Sequence, residues 1–262
     1  KASVSLEGER KKFQEQLTQL EGQRARLQVQ LEALQQAEAS HAGMSEGAKA
    51  LLQAEPKTIR TRRYTALSSI LDIPQEYEVA ISAALGEYID LLFVETREDL
   101  EQAMEVLEAG EKGRAALLPL PWVEAGEVHA PIVNGDCLGS AAELVSAPAS
   151  VQAGLNALLG RTLVVKDWKS ARFLLQEYPD FTQAVTLKGE VFHRLGTVIA
   201  GREKRGNILA RPRQKRELQE NLGVICSQIE TFSDQISQVS TQIGPARDDE
   251  AQLEKTTREA AA

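Results

Sequence analysis

The chain has 262 residues, 42% hydrophobic and 26% charged, with a formal net charge of −8, a composition that supports one or two folded cores and excludes a wholly disordered chain. No run approaches the roughly 18 consecutive apolar residues of a membrane-spanning helix, and no charged-then-apolar leader opens the sequence, so neither a membrane nor export is indicated. The only cysteines, Cys137 and Cys226, lie far apart without a CxxC pair or a histidine companion; neither a disulfide framework nor a zinc site is expected, and a reducing, cytoplasmic compartment fits.

Residues 1–42 predict a coiled-coil strand. Leu6, Phe13, Leu17, Leu20, Leu27, Leu31 and Leu34 step by four and three from Phe13 onward, with Arg24 filling the one polar step. Residues 43–63 are a junction carrying the basic cluster Lys57, Arg60, Arg62 and Arg63. Residues 64–148 and 149–205 follow as two α/β or α+β subdomains. Their short apolar runs at 90–95, 115–120, 162–167 and 184–187 predict buried strands, and the segments 75–86, 98–110 and 150–160 predict helices closed by glycine. The stretches from Ala80 to Leu100 and from Ala153 to Phe173 align as helix, Leu-Gly, strand, acidic residue and new helix, anchored at Leu85-Gly86 and Leu159-Gly160, which predicts a duplication. Residues 206–262 return to a heptad pattern: Leu218, Leu222, Ile225, Ile229, Phe232, Ile236, Val239 and Ile243, with Leu253 in the same register. Gly8, Gly22, Gly223 and Gly244-Pro245 predict local bends or fraying. Two heptad segments around a non-heptad middle pair with each other only if the chain reverses, giving an intramolecular antiparallel coiled coil with the globule at its tip. Parallel pairing with another chain is the alternative. A start at Lys1 and an Ala-rich end read as a piece of a longer protein.

Charge is unevenly distributed. Residues 72–111 hold twelve acidic side chains against Arg97 alone, and residues 202–216 hold seven basic ones against Glu203. Both basic clusters, Lys57, Arg60, Arg62 and Arg63 at the entry and Arg202, Lys204, Arg205, Arg211, Arg213, Lys215 and Arg216 at the exit, would meet if the arms pair. Such a patch suits weak, salt-sensitive contact with a DNA backbone, without base readout; solvated helix-end charge is the competing reading. No phosphate loop, metalloprotease helix or dinucleotide turn occurs, and His41, His129 and His193 lack metal-ligand spacing, so this piece is expected to be neither an enzyme nor a holder of a cofactor or metal.

The ordered series GMSEGAKALL (43–52), QEYEVAISAALGEYIDLLFVE (75–95), GRAALLPL (113–120), LLGRTLVVKDWKSA (158–171), VTLKGEVF (185–192) and GTVIAG resembles the SMC hinge of bacterial type, over about residues 43–216. The resemblance implies a two-subdomain hinge that homodimerises and joins two long arms whose far ends carry ATPase heads. It also implies a nucleoid-associated role in chromosome condensation and segregation, with kleisin and accessory subunits as partners of the parent protein. It places the dimer interface at Gly196 and Gly201, with Val198 and Ile199 between them as an apolar edge; turn glycines needed only for positive φ are the alternative. Two departures stand out: the family's two Gly-Gly pairs are reduced to Leu195-Gly196 and Ala200-Gly201, and KTIRTRRY (57–64) lacks the family's glycine. A coiled-coil tether whose globule binds a protein partner, without DNA contact, is the other functional reading.

Overall fold

The computed structural model describes residues 2–54, 64–110, 113–124, 131, 133, 135–201 and 207–260. In chain order the elements are α1 (Ala2–Ala39), α2 (Glu46–Ala54), β1 (Tyr64–Ala66), α3 (Leu67–Ile70), α4 (Glu78–Leu85), β2 (Leu92–Val94), α5 (Arg97–Gly110), β3 (Leu117–Pro119), β4 (Cys137–Ser140), α6 (Gln152–Leu159), β5 (Thr162–Val165), α7 (Trp168–Glu177), β6 (Gln183–Thr186), β7 (Val191–His193), β8 (Val198–Ile199) and α8 (Asn207–Ala260). The chain divides into two units, residues 1–36 with 215–262 and residues 37–214, and each is taken by itself.

In the first unit α1 and α8 pair antiparallel. Phe13 meets Phe232 with ring centroids 6.0 Å apart, Glu7 pairs with Arg247, and the Ser3 hydroxyl donates to Glu250 at 2.8 Å. The half-buried or buried positions are those of the predicted seam: Leu6, Phe13, Leu17, Leu20, Leu27, Leu31 and Leu34 on α1, and Leu218 through Ile243 on α8. Most are only half-buried because each helix has a single partner strand to pack against. Leu253, beyond the Ser3–Glu250 contact on α8, is exposed. One expectation is corrected in part: neither helix frays at Gly8, Gly22, Gly223 or Gly244-Pro245, where seam packing outweighs the weak intrinsic preference.

The second unit is built from two sheets. Sheet order is β1-β2-β3 in one and β4-β5-β6-β7-β8 in the other. In each, the first pairing is antiparallel and the second parallel, and a helix crosses over within the parallel pair, α5 in one and α7 in the other. The predicted repeat is thus realised as topology. The Leu-Gly anchors both fall at helix ends, but a 3₁₀ turn at Gly86–Asp90 lengthens the first connection. Gly86 has φ of 52° and ψ of −116°, a conformation open to glycine and strained for other residues. Gly160 has φ of −64°; its role is space, since a Cβ there would sit 2.4 Å from the Asn156 carbonyl oxygen.

Strand alternation sorts the side chains into three layers. Phe93 of β2 and Val164 of β5 face a central core with α3, α4 and α6. Leu92 and Val94 face an outer layer under α2 and α5, and Leu163 and Val165 face the opposite outer layer under α7. β2 and β5 are buried on both faces, which is why they read as unbroken apolar runs.

Candidate functional site

β8 ends the five-stranded sheet and, among the described residues, pairs with β7 alone. Its register sets Ile199 opposite Val191 and Val198 opposite Phe192. Directly opposed residues share a face, so Ile199 projects on the side of the central core and Val198 on the side of α7. Neither is covered: both are exposed, and Leu195 at the hairpin tip is 96% exposed. An edge strand with apolar residues open on both faces is a template for pairing with another chain.

The turn before β8 is rigidly made. The His193 N–H donates to the Thr197 carbonyl at 2.8 Å and the Gly196 N–H to the His193 carbonyl at 2.9 Å. Arg194 reaches back to the Phe181 and Tyr178 carbonyls, each at 3.2 Å, fixing the hairpin to the loop between α7 and β6. Gly196 and Gly201 have φ of 96° and 125°, and nothing lies within 4 Å of where a Cβ would stand. Both conformations are ones that glycine adopts without strain, and within this chain the space beside each is open. Val198, Ile199 and Leu195 are the residues with surface to offer; the sequence marked Leu195 only as a departure from a Gly-Gly pair and not as part of the interface.

Of the basic residues, Lys57, Arg60, Arg62, Arg63, Arg202, Lys204 and Arg205 lie outside the described residues. Arg211, Arg213, Lys215 and Arg216 stand on the opening turns of α8. Two of these turn inward. Arg213 Nε donates to Glu78 Oε1 on α4 at 2.6 Å. Arg211 is half-buried, and burial lowers its guanidinium pKa while Glu38 opposes that shift. Lys215 is half-buried and Arg216 exposed. Ile208 and Leu209, beside them, are buried in the outer and central cores of the globule, and Ile208 packs so closely on Gly43 (φ 86°) that a Cβ would come within 3.0 Å. Among the described residues no group of three or more His, Cys, Asp or Glu side chains is placed to hold a metal ion. Cys137 is buried, which raises its thiol pKa, and Cys226 is exposed. No described helix is long and apolar enough to cross a membrane.

Residues 61–175 match the family model of the SMC proteins' flexible hinge domain. Over that stretch the chain is similar to the SMC hinge family. The chromosome partition protein Smc of Desulfitobacterium hafniense is 27% identical over 225 residues, covering 83% of this chain and 19% of the relative; the Smc of Bacillus subtilis is 25% identical over 198 residues, 73% of this chain and 16% of the relative. The chain therefore spans under a fifth of the length of these curated relatives. The crystal structure of an asymmetric dimer of the Geobacillus stearothermophilus SMC hinge domain superimposes with a TM-score of 0.82 at 23% identity, covering 92% of this chain and 99% of that one. The hinge fold, with coiled-coil helices at both ends, is common to both.

Proposed function

We infer that this hinge is the dimerisation module of a chromosome-partitioning SMC protein, and that two copies join through the β8 edge so that their coiled-coil arms are held together at one end. The observation that carries this reading is the open apolar edge of Leu195, Val198 and Ile199 on a rigid hairpin. The relatives' role in chromosome partition and the dimer named for the Geobacillus hinge support it. ATPase heads, kleisin and accessory subunits, and a place at the nucleoid belong to the parent protein in this reading. The hinge itself carries no catalytic step.

Light scattering tests the dimer. Wild type is expected at twice 28.7 kDa, and the double variant Val198→Glu, Ile199→Glu at the monomer mass with an unchanged circular dichroism spectrum, because both side chains are already exposed. A double variant that still dimerises removes β8 from the interface. A wild type monomeric at tens of micromolar, an order of magnitude at which a specific dimer forms, sinks the homodimer and favours a tether for a different protein.

A second role is weak DNA backbone contact by Lys57, Arg60, Arg62, Arg63, Arg202, Lys204, Arg205, Lys215 and Arg216. Arg211 and Arg213 contribute less, since their charges already face Glu38 and Glu78. Fluorescence anisotropy with a duplex of arbitrary sequence should show affinity falling steeply with salt and a shallower slope in Arg60→Glu, Arg63→Glu. A slope unchanged by that substitution removes the entry cluster from the contact.

A further inference from the structure

The outer helices of the two halves carry opposite charge. α7 turns Ala171, Leu174 and Leu175 into the core under its sheet and leaves Trp168, Lys169, Arg172, Phe173, Gln176 and, at its last residue, Glu177 exposed. These lie at helical spacing on one outward face. Trp168 is 57% and Phe173 65% exposed, and Lys169 Nζ lies 6.0 Å from the Trp168 ring centroid. Two large aromatics beside two cations, on a chain of net charge −8, make an exposed face, within which Lys169 has Asp167 as a local counter-charge. α5, the crossover helix at the same place in the other half, shows the complement. Leu100 and Ala103 point inward, while Glu98, Glu101, Met104, Glu105 and Glu108 are exposed. Arg97, paired with Glu101 at 3.1 Å, is that helix's one base.

The two faces cannot meet within one globule. α5 covers the outer side of one sheet and α7 the outer side of the other, with the central core between them. A second copy can bring them together. Resting on the dimer reading above, we propose that α7 of one copy docks on α5 of the other, with Lys169 and Arg172 against Glu105 and Glu108 and with Trp168 and Phe173 covering Met104. Around a two-fold axis this contact is made twice, so the interface closes on itself and any change to it counts double. Val198 of the β8 edge projects on the same side of its sheet as α7. Charge complementarity would set orientation and association rate as much as affinity.

Two charge-reversed chains test this: one with Lys169→Glu and Arg172→Glu, the other with Glu105→Lys and Glu108→Lys. Sedimentation equilibrium at low salt should show each alone self-associating roughly tenfold more weakly than wild type or worse, from like-charge repulsion at both contacts. An equimolar mixture should recover a dimer, because in the heterodimer both contacts again pair opposite charges. Recovery on mixing also rules out misfolding as the cause of the loss. If both variants dimerise as wild type does, the docking is overturned, and the β8 reading survives provided Val198→Glu, Ile199→Glu is still monomeric. A monomeric wild type overturns both. If Lys169→Glu, Arg172→Glu keeps the dimer but loses binding of a single-stranded oligonucleotide, the face belongs to nucleic acid stacking and the docking is again overturned.

Discussion

Arg213 and Glu78, 135 residues apart in the chain, form an ion pair at 2.6 Å with only 18% and 14% of their side chains exposed. The pair ties the second turn of α8 to the first turn of α4, and Leu209 is buried in the same central core that α4 lines. A charge in so sheltered a site is tolerated because its partner is at hydrogen-bonding distance.

Removing one partner should therefore cost more than removing both. Glu78→Gln, which takes the carboxylate at 2.6 Å away from the sheltered guanidinium, is expected to destabilise the globule by about 2 to 4 kcal/mol. The double variant Glu78→Leu, Arg213→Leu should lose less, since neither sheltered charge remains. Urea unfolding of the two variants and wild type checks the order; equal losses would mean the pair is solvated in solution.

Gly154 on α6 stands where the two halves of the globule meet. A Cβ there would fall 2.6 Å from Cε1 of Phe93 on β2, and Phe93 is fully buried. Gly154→Ala is thus expected to cost about 1 to 3 kcal/mol through overpacking, although alanine is the better helix former. Pairing it with Phe93→Leu should restore part of the loss, which thermal melts of the single and double variants would reveal. A stabilised single variant would show that α6 and β2 can move apart freely.

The parts legible in the sequence are those set by local periodicity. The seam from Phe13 to Leu34 and from Leu218 to Ile243 follows heptad spacing, and β2, β3, β5 and β6 appear as the predicted apolar runs. β1, β4 and β7 carried no such signal. Each is short, and β4, Cys137-Leu138-Gly139-Ser140, pairs through a register shift at Gly139, whose φ of 138° breaks any alternation. At the candidate site the apolar edge Val198-Ile199 was readable, and so was positive φ at its flanking glycines, which Gly196 and Gly201 adopt. Charge could be counted along the chain, yet the commitment of Arg213 to Glu78 is a long-range contact with no local trace.

Arg24 occupies a seam step but is exposed. Counting three heptad steps along each helix from the Phe13–Phe232 contact assigns Leu222 as its counterpart on α8. Arg24→Leu should fill the gap in the apolar stripe and stabilise the coiled coil by roughly 1 kcal/mol. The gain would show as a higher helix melting temperature by circular dichroism. A polar residue at one core step also discourages alternative registers, so the same variant should self-associate more through its coil. A variant that melts lower than wild type would mean that the Arg24 stem already covers Leu222.

Asp167 caps α7, accepting the N–H groups of Lys169 at 2.9 Å and Ser170 at 3.2 Å through one carboxylate oxygen. The Ser170 backbone hydrogen bond is the largest of the causes that hold its pKa below the ordinary carboxylate value, and Lys169 adds to it. A depressed carboxylate favours the folded state where the group is ionised in the unfolded chain, above about pH 4. That contribution is lost as the pH falls through the lower folded value. Asp167→Asn keeps a capping oxygen without the charge, so the melting temperature of wild type should exceed that of the variant at neutral pH and the two should converge toward pH 2. A difference that persists undiminished into acid would show that the cap works through shape alone, and that the carboxylate charge at the start of α7 adds nothing to the helix which carries Trp168 and Phe173.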